Sequence, residues 1–256
     1  MNQLLKIEMI RNLDQWSSLR KSLTGEIGFV PTMGALHQGH ASLLKRARKE
    51  NDVVVLSIYV NPTQFNDPKD LEKYPSTLEA DLEIARQHGV DYVLVPTYSQ
   101  IYPDGYRFKI GENTFSNELC GAHRPGHFDG VLTVVMKLFN LVRPGRAYFG
   151  EKDFQQLQLI KDMARAFFMD LEVVACPTVR ETDGLAMSSR NTNLSDEARK
   201  RAPLFHRVLE EEKSVEAARE RLEKNGFNVD YVEDREGRRF GAVKIGGVRL
   251  IDNVAR

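Results

Sequence analysis

The sequence predicts an α/β protein, a doubly wound parallel sheet followed by a smaller α+β domain. Three observations carry this. Short apolar runs alternate with helical patterns through the first two-thirds of the chain. One of these runs, residues 52–60 (DVVVLSIYV), is almost continuously apolar, as a strand covered on both faces must be. After residue 176 the pattern changes to charged amphipathic helices and then to short strands around glycine pairs.

The elements follow in order. Residues 27–30 read as a strand and 41–49 as a helix with Leu43, Leu44 and Ala47 on one side. The buried strand 52–60 comes next. Ser76 and Glu79 have the spacing of a capping box, which opens a helix that stops at Gly89. Residues 92–95 form another strand. The apolar stretch 131–142 reads as a helix broken at Pro144-Gly145, then come a short strand at 147–149, a helix at 154–168 and a strand at 171–175. This alternation is Rossmann-like and occupies residues 1–175. The rest, 176–256, reads as a small domain that leans on the first. Its helices fall near 196–212, with Ser195 as N-cap, and at 215–224, ended by Asn225-Gly226. Two or three antiparallel strands then turn at Glu236-Gly237 and Gly246-Gly247.

Composition narrows the function. The 256 residues are 41% apolar and 28% charged, as in a soluble globular protein. Lys+Arg and Asp+Glu both total 36, and zero net charge argues against a nucleic-acid partner held by counterion release. No apolar run approaches the ~20 residues of a membrane span, and the stretch MNQLLKIEMIRNL does not read as a signal peptide. Two distant cysteines, Cys120 and Cys176, fit a reducing cytoplasm.

Four segments could carry chemistry. PTMGALHQGH, residues 31–40, joins the first strand to a helix, where ligands of open α/β sheets bind. Gly34 and Gly39 permit close backbone approach, and the helix N-terminus offers N–H groups to phosphate. His37 and His40 stand three apart, so their imidazoles, neutral or cationic, could donate to a triphosphate. Capping or packing is the plainer alternative for them, and a zinc pair another, although no third ligand has a matching motif. Gln64, in Asn61-Pro-Thr-Gln64, follows the buried strand and could orient a carboxylate or hydroxyl. In Gly150-Glu151-Lys152-Asp153, Lys152 suits a phosphate and Asp153 a ribose hydroxyl, Glu151 reads as a first-turn acid, and Gln156 lies one turn on. Met187-Ser188-Ser189-Arg190 places two hydroxyls and a guanidinium together, as phosphate oxygens require. Residues 124–130 (RPGHFDG) precede an apolar helix and could border the same pocket.

Taken together, PTMGALHQGH, NPTQF, RPGHFDGV, GEKDFQQ and AMSSRN occur in the order and approximate spacing of the pantothenate synthetase family, and RLIDN near the end continues the likeness. The family belongs to the HIGH-motif nucleotidyltransferases. The resemblance implies an ATP site formed by Met33, Gly34, Ala35, Leu36, His37, Gln38, Gly39 and His40, with Gly150, Glu151, Lys152, Asp153, Val179, Met187, Ser188, Ser189 and Arg190. It implies His40 as proton donor, with His37, Lys152 and Arg190 also catalytic. Gln64 and Gln156 would hold pantoate, with Gln64 also facing β-alanine. Mg²⁺ would ride on the triphosphate, and Asp81 would be its one protein contact, since Ala80 stands where relatives often have a second acid. A cytoplasmic homodimer is implied too. The activity implied is ATP-dependent condensation of pantoate with β-alanine through a pantoyl-adenylate. The alternative is transfer of AMP to a phosphorylated acceptor.

Overall fold

The computed structural model describes residues 7–256. Part of the N-terminal stretch weighed against a signal peptide, residues 1–6, lies outside it. The first region runs β1 (Glu8–Ile10), α1 (Leu13–Arg20), β2 (Ile27–Thr32), α2 (Gln38–Glu50), β3 (Val53–Ile58), α3 (Pro68–Glu72), α4 (Leu78–Gln87), β4 (Tyr92–Leu94), α5 (Tyr98–Ile101), α6 (Leu119–Ala122), α7 (His127–Val142), β5 (Arg146–Gly150), α8 (Phe154–Ala166) and β6 (Glu172–Cys176). The six strands are all parallel, in the order β1-β4-β3-β2-β5-β6.

That order places the site. The chain winds outward from β2 through β3 to β4, then returns to start again at β5. The strand order therefore reverses between β2 and β5, and a crevice opens at their carboxyl ends. The central strands supply buried residues to both faces, such as Phe29 and Val30 or Val54 and Val55. Phe29 and Val55 join the cluster under α7 and α8, whereas Val30 and Val54 join the one under α2 and α4. This explains the near-continuous apolar run of β3.

After β6 come α9 (Asp196–Arg201), α10 (Pro203–Glu211), α11 (Val215–Lys224) and the antiparallel meander β7 (Asn228–Arg235), β8 (Arg238–Ile245) and β9 (Val248–Ala255). Both connections are two-residue loops with positive φ throughout, at Glu236-Gly237 and Gly246-Gly247, as type I′ hairpins require. Helices α9 to α11 cover one face of the meander around Phe205, Val208 and Leu222. Tyr231, Phe240 and Ala242, on the other face, join the cluster of the parallel sheet.

Two local expectations fail. The capping box at 76–79 does not form, because Thr77 is the N-cap of α4 and its hydroxyl turns instead to Asp81 Oδ1 at 3.2 Å. The helix expected near 196–212 is two helices. Pro203 has no N–H to continue the first, and starts α10.

Candidate active site

The turn from β2 into α2 is held by side chains at almost every step. Gly34 at φ +83° and Ala35 at φ +50° reverse the chain in a left-handed conformation. Gly34 N–H donates to Thr32 Oγ1 at 3.2 Å. The N–H groups of Ala35 and Leu36 donate to the two carboxylate oxygens of Asp81 at 3.0 and 2.7 Å. His37 is the N-cap of α2. Its Nδ1 accepts from Gly39 N–H at 3.1 Å, while its own N–H donates to His40 Nδ1 at 3.3 Å.

This reciprocal cap fixes the chemistry of the histidine pair. Each Nδ1 is an acceptor, so the network assigns both rings as Nε2–H tautomers. Desolvation, and then the nearby Lys152 ammonium, push His37 down to about 4 against a weaker opposing pull from Asp153. Desolvation and the neighbouring His37 push His40 down to about 3. At neutral pH the pair is therefore uncharged, the rings tilted at 43° with centroids 4.1 Å apart, and each ring keeps one N–H to donate. Capping does not exclude a donor role here, since the cap engages Nδ1 and leaves each Nε2–H free to donate. It also corrects an expectation: the backbone N–H groups of Gly34, Ala35, Leu36, His37 and Gly39 are already engaged and are not free for phosphate.

The loop after β3 orients Gln64. Asn61 is buried, and its Oδ1 accepts from Tyr102 Oη at 2.9 Å and Thr63 Oγ1 at 3.0 Å. Its amide therefore donates to Gln64 Oε1 at 2.9 Å, which leaves the Gln64 NH₂ group as a donor. Behind the loop, His127 hydrogen-bonds Gln64 O through Nδ1 at 2.8 Å and meets Arg124 through Nε2 at 3.0 Å. Burial, then the Arg124 charge, push His127 down to about 3.

The β5–α8 turn brings Lys152 Nζ to 3.6 Å from Asp153 Oδ2. Burial raises the Asp153 pKa, but Lys152 and Arg190 outweigh it and hold the carboxyl below its usual range. Asn253 Nδ2 donates to the carbonyls of Glu151 and Lys152, both at 2.9 Å, and so ties β9 to this turn. Val179 O accepts from Met187 N–H at 3.0 Å, which sets those two residues side by side. Beyond them Ser189 Oγ lies 3.3 Å from Tyr74 Oη, and Arg190 pairs with Asp70 at 3.1 Å.

All four segments meet in one cavity of about 240 Å³, whose wall includes Met33, His37, Gly39, His40, Gln64, Gly150, Lys152, Asp153, Gln156, Val179, Met187, Ser188, Ser189 and Arg190. An adjoining cleft of about 860 Å³ shares Arg124, Lys152, Asp153, Ser188 and Arg190. The inner cavity alone is below the ~300–1,000 Å³ usual for drug-sized ligands, so a nucleotide beside a small acid needs both spaces.

Some expected contacts are absent from the wall. Gly34, Ala35, Leu36, Gln38 and Glu151 do not line the cavity. Asp81 is a correction too. It is buried, lies outside the wall, and spends both oxygens on the turn, so it is not placed to meet Mg²⁺. Among the described residues no group of three or more His, Cys, Asp or Glu is arranged to hold a metal. Conversely, Asn61, Tyr74, Arg124 and His127 belong to the wall without having been assigned roles. The RPGHFDG segment gave a signal for two of them. Nothing in the sequence marks Tyr74.

A parallel sheet with a crevice at its switch point, lined by neutral histidine donors, a lysine, an arginine and an amide, defines an α/β enzyme that handles a polyanionic nucleotide beside a small polar acid. The profile of the pantoate-beta-alanine ligase family matches residues 5–255, and the chain belongs to that family. It is 59% identical to the pantothenate synthetase of Bdellovibrio bacteriovorus, over 96% of this chain and 98% of that one. It is 53% identical to that of Legionella pneumophila (strain Lens), over 96% and 99%. The crystal structure of the pantoate-beta-alanine ligase from Francisella tularensis, complexed with beta-gamma ATP and beta-alanine, superposes with a TM-score of 0.94 at 43% identity, covering 98% of both chains. The pantothenate synthetase of Thermus thermophilus gives 0.91 at 40%, covering 97% and 99%.

Proposed function

We propose that this chain joins pantoate to β-alanine in two steps on ATP. The observation that carries the reading is the shared wall: phosphate donors from three segments stand in one cavity with the Gln64 amide. A carboxylate oxygen of pantoate attacks the α-phosphorus, the bond to the bridging oxygen breaks, and pyrophosphate leaves. The product is pantoyl-adenylate. The amine of β-alanine then attacks the acyl carbon, and AMP departs with the former carboxylate oxygen.

The protein's task in the first step is to bring two anions together. His37 and His40 donate through Nε2–H, and Lys152, Ser188, Ser189 and Arg190 offset the charge that builds on pyrophosphate. Neutral imidazoles donate without adding a desolvated charge. Gln64 and Gln156 hold pantoate. Arg124 makes its described hydrogen bonds to neutral acceptors only, Gln64 O and His127 Nε2, which leaves positive charge at the cleft for the carboxylate of an entering amino acid. A Mg²⁺ ion accompanying ATP would offset part of the phosphate charge. Asp153, the carboxylate in the cavity wall, is the side chain that would approach it.

Residues 176–256 act as a lid that excludes water from the adenylate. The chain works in the cytoplasm as a homodimer. Its two free, buried cysteines fit that compartment, and among the described residues no helix is long and apolar enough to cross a membrane.

Pantoate labelled with ¹⁸O in its carboxylate tests the reading. One label should appear in AMP with each amide formed. Label found in phosphate or pyrophosphate instead would refute it. In the same assay Gln64→Ala should weaken pantoate binding with little effect on ATP, as calorimetry would read.

A further inference from the structure

Asp81 is a buried, hydrogen-bonded carboxylate that the proposed mechanism does not use. It sits one turn into α4, only 1% exposed, outside the cavity wall. Three donors converge on it: Ala35 N–H at 3.0 Å, Leu36 N–H at 2.7 Å and Thr77 Oγ1 at 3.2 Å. Its Oδ2 lies just 3.0 Å from where a Cβ on Gly34 would stand, so the turn closes directly over the carboxylate. Ala35 is held at φ +50°, a region that residues with a side chain rarely occupy. Directly after Leu36 comes His37, whose extended backbone starts α2.

From this we infer that Asp81 is a positioning residue for the histidine pair, acting through the backbone of Ala35 and Leu36. Without an acceptor, two successive buried N–H groups would be unpaired, and the turn would relax toward right-handed φ. His37 would then enter the helix at a different angle. The Gly39–His37 and His37–His40 bonds depend on that entry, and they set both the tautomer and the aim of the Nε2–H donors. Each oxygen already accepts from the protein, and the group is buried outside the cavity wall, so the same geometry argues against a metal ligand. The inference rests on the proposed adenylation, and one of its readouts is independent of activity.

The test is Asp81→Asn, which keeps shape but puts an NH₂ group against a backbone donor. Expected are a folded protein by circular dichroism and a fall in kcat of about 100-fold for pantoate-dependent pyrophosphate exchange, at nearly unchanged KM for pantoate. Excess Mg²⁺ should not restore the rate. ¹⁵N spectra of the two histidines should change from a single Nε2–H tautomer to a mixture. Restoration by Mg²⁺, a raised pantoate KM at normal kcat, or unchanged tautomers would each overturn the inference. Should Asp81→Asn fail to fold, Thr77→Val removes one of the three bonds. It should mix the tautomers to a lesser degree and lower kcat severalfold, and a variant indistinguishable from wild type would overturn the inference. A wild-type protein without exchange would reject the adenylation instead, leaving the spectra to judge Asp81.

Discussion

A neutral imidazole is an acceptor at one nitrogen and a donor at the other, and here both acceptors are spent on backbone N–H groups. Two consequences follow at this scale. His40→Ala should slow adenylate formation by about 100-fold or more while the fold persists, and near-normal turnover of purified protein would refute the assigned role. The second concerns pH. His37, His40 and His127 have folded pKa values near 4, 3 and 3, below the ordinary 6.5. The unfolded chain therefore binds more protons than the folded one between those values and 6.5. Stability contributed by these groups is complete above pH 6.5 and is lost as pH falls toward 4 and 3. Urea titrations should show at least about two protons taken up on unfolding near pH 5. The exchange rate should lack an acid limb at 6.5, whereas a limb there would mean that the catalytic imidazoles are not desolvated. The histidine pair was legible in the sequence because its spacing within a strand-to-helix turn is informative. Its protonation state was not, because that depends first on how deeply the folded crevice buries the two rings and only then on charges such as Lys152, more than a hundred residues away.

At the scale of elements, α7 and the loop after β3 are fitted backbone to backbone. A Cβ on Gly130 would stand 2.5 Å from Thr63 O and 2.8 Å from Gln64 N. Gly130→Ala should push this loop off the helix, at a cost of about 1–3 kcal/mol, and raise the KM for pantoate more than that for ATP. Equal KM values with unchanged stability would contradict the packing. Patterning located the strands from β2 onward and the longer helices of the sheet, but not β1, α1 or the short helices α3, α5 and α6, whose few residues carry too little periodicity. It failed where one polar atom had two possible partners. Ser76 and Glu79 had the spacing of a capping box, but the N-cap is Thr77, one residue on, and its hydroxyl donates to Asp81, a residue serving a distant turn. For the same reason Asp81 read as a metal contact: a sequence shows that a carboxylate exists, not which donors it already satisfies. The break at Pro203 was visible in the residues themselves, but the amphipathic pattern across it outweighed the missing N–H.

For the whole molecule, the decisive fact is that β2 and β5 are neighbours although more than a hundred residues separate them. Parallel pairing is non-local, so the sequence could place His37 and Lys152 each at a strand's carboxyl end without showing that the two ends adjoin. The small region is joined to the site through β9. Asp252, 4% exposed, pairs with Arg180 through both oxygens at 2.6 and 3.0 Å, and Asn253 grips the β5–α8 turn. The closing RLIDN motif thus ties the small region to the site, and its residues 249–252 also line the outer cleft. Asp252→Ala leaves a part-buried guanidinium without its partner and should destabilise the protein by about 3–5 kcal/mol. It should also raise the KM for ATP, because Arg180 lies between Val179 and the 187–190 loop. A stable variant with wild-type ATP kinetics would show that this anchor does not matter.

The central claim is that segments around residues 37, 64, 152 and 189 form one site that adenylates a small hydroxy acid. Exchange of labelled pyrophosphate into ATP, with no β-alanine present, tests it most directly. Exchange should require pantoate, be weak with close analogues, and be lost in His40→Ala. Exchange without pantoate, or only with a phosphorylated acceptor, would contradict it.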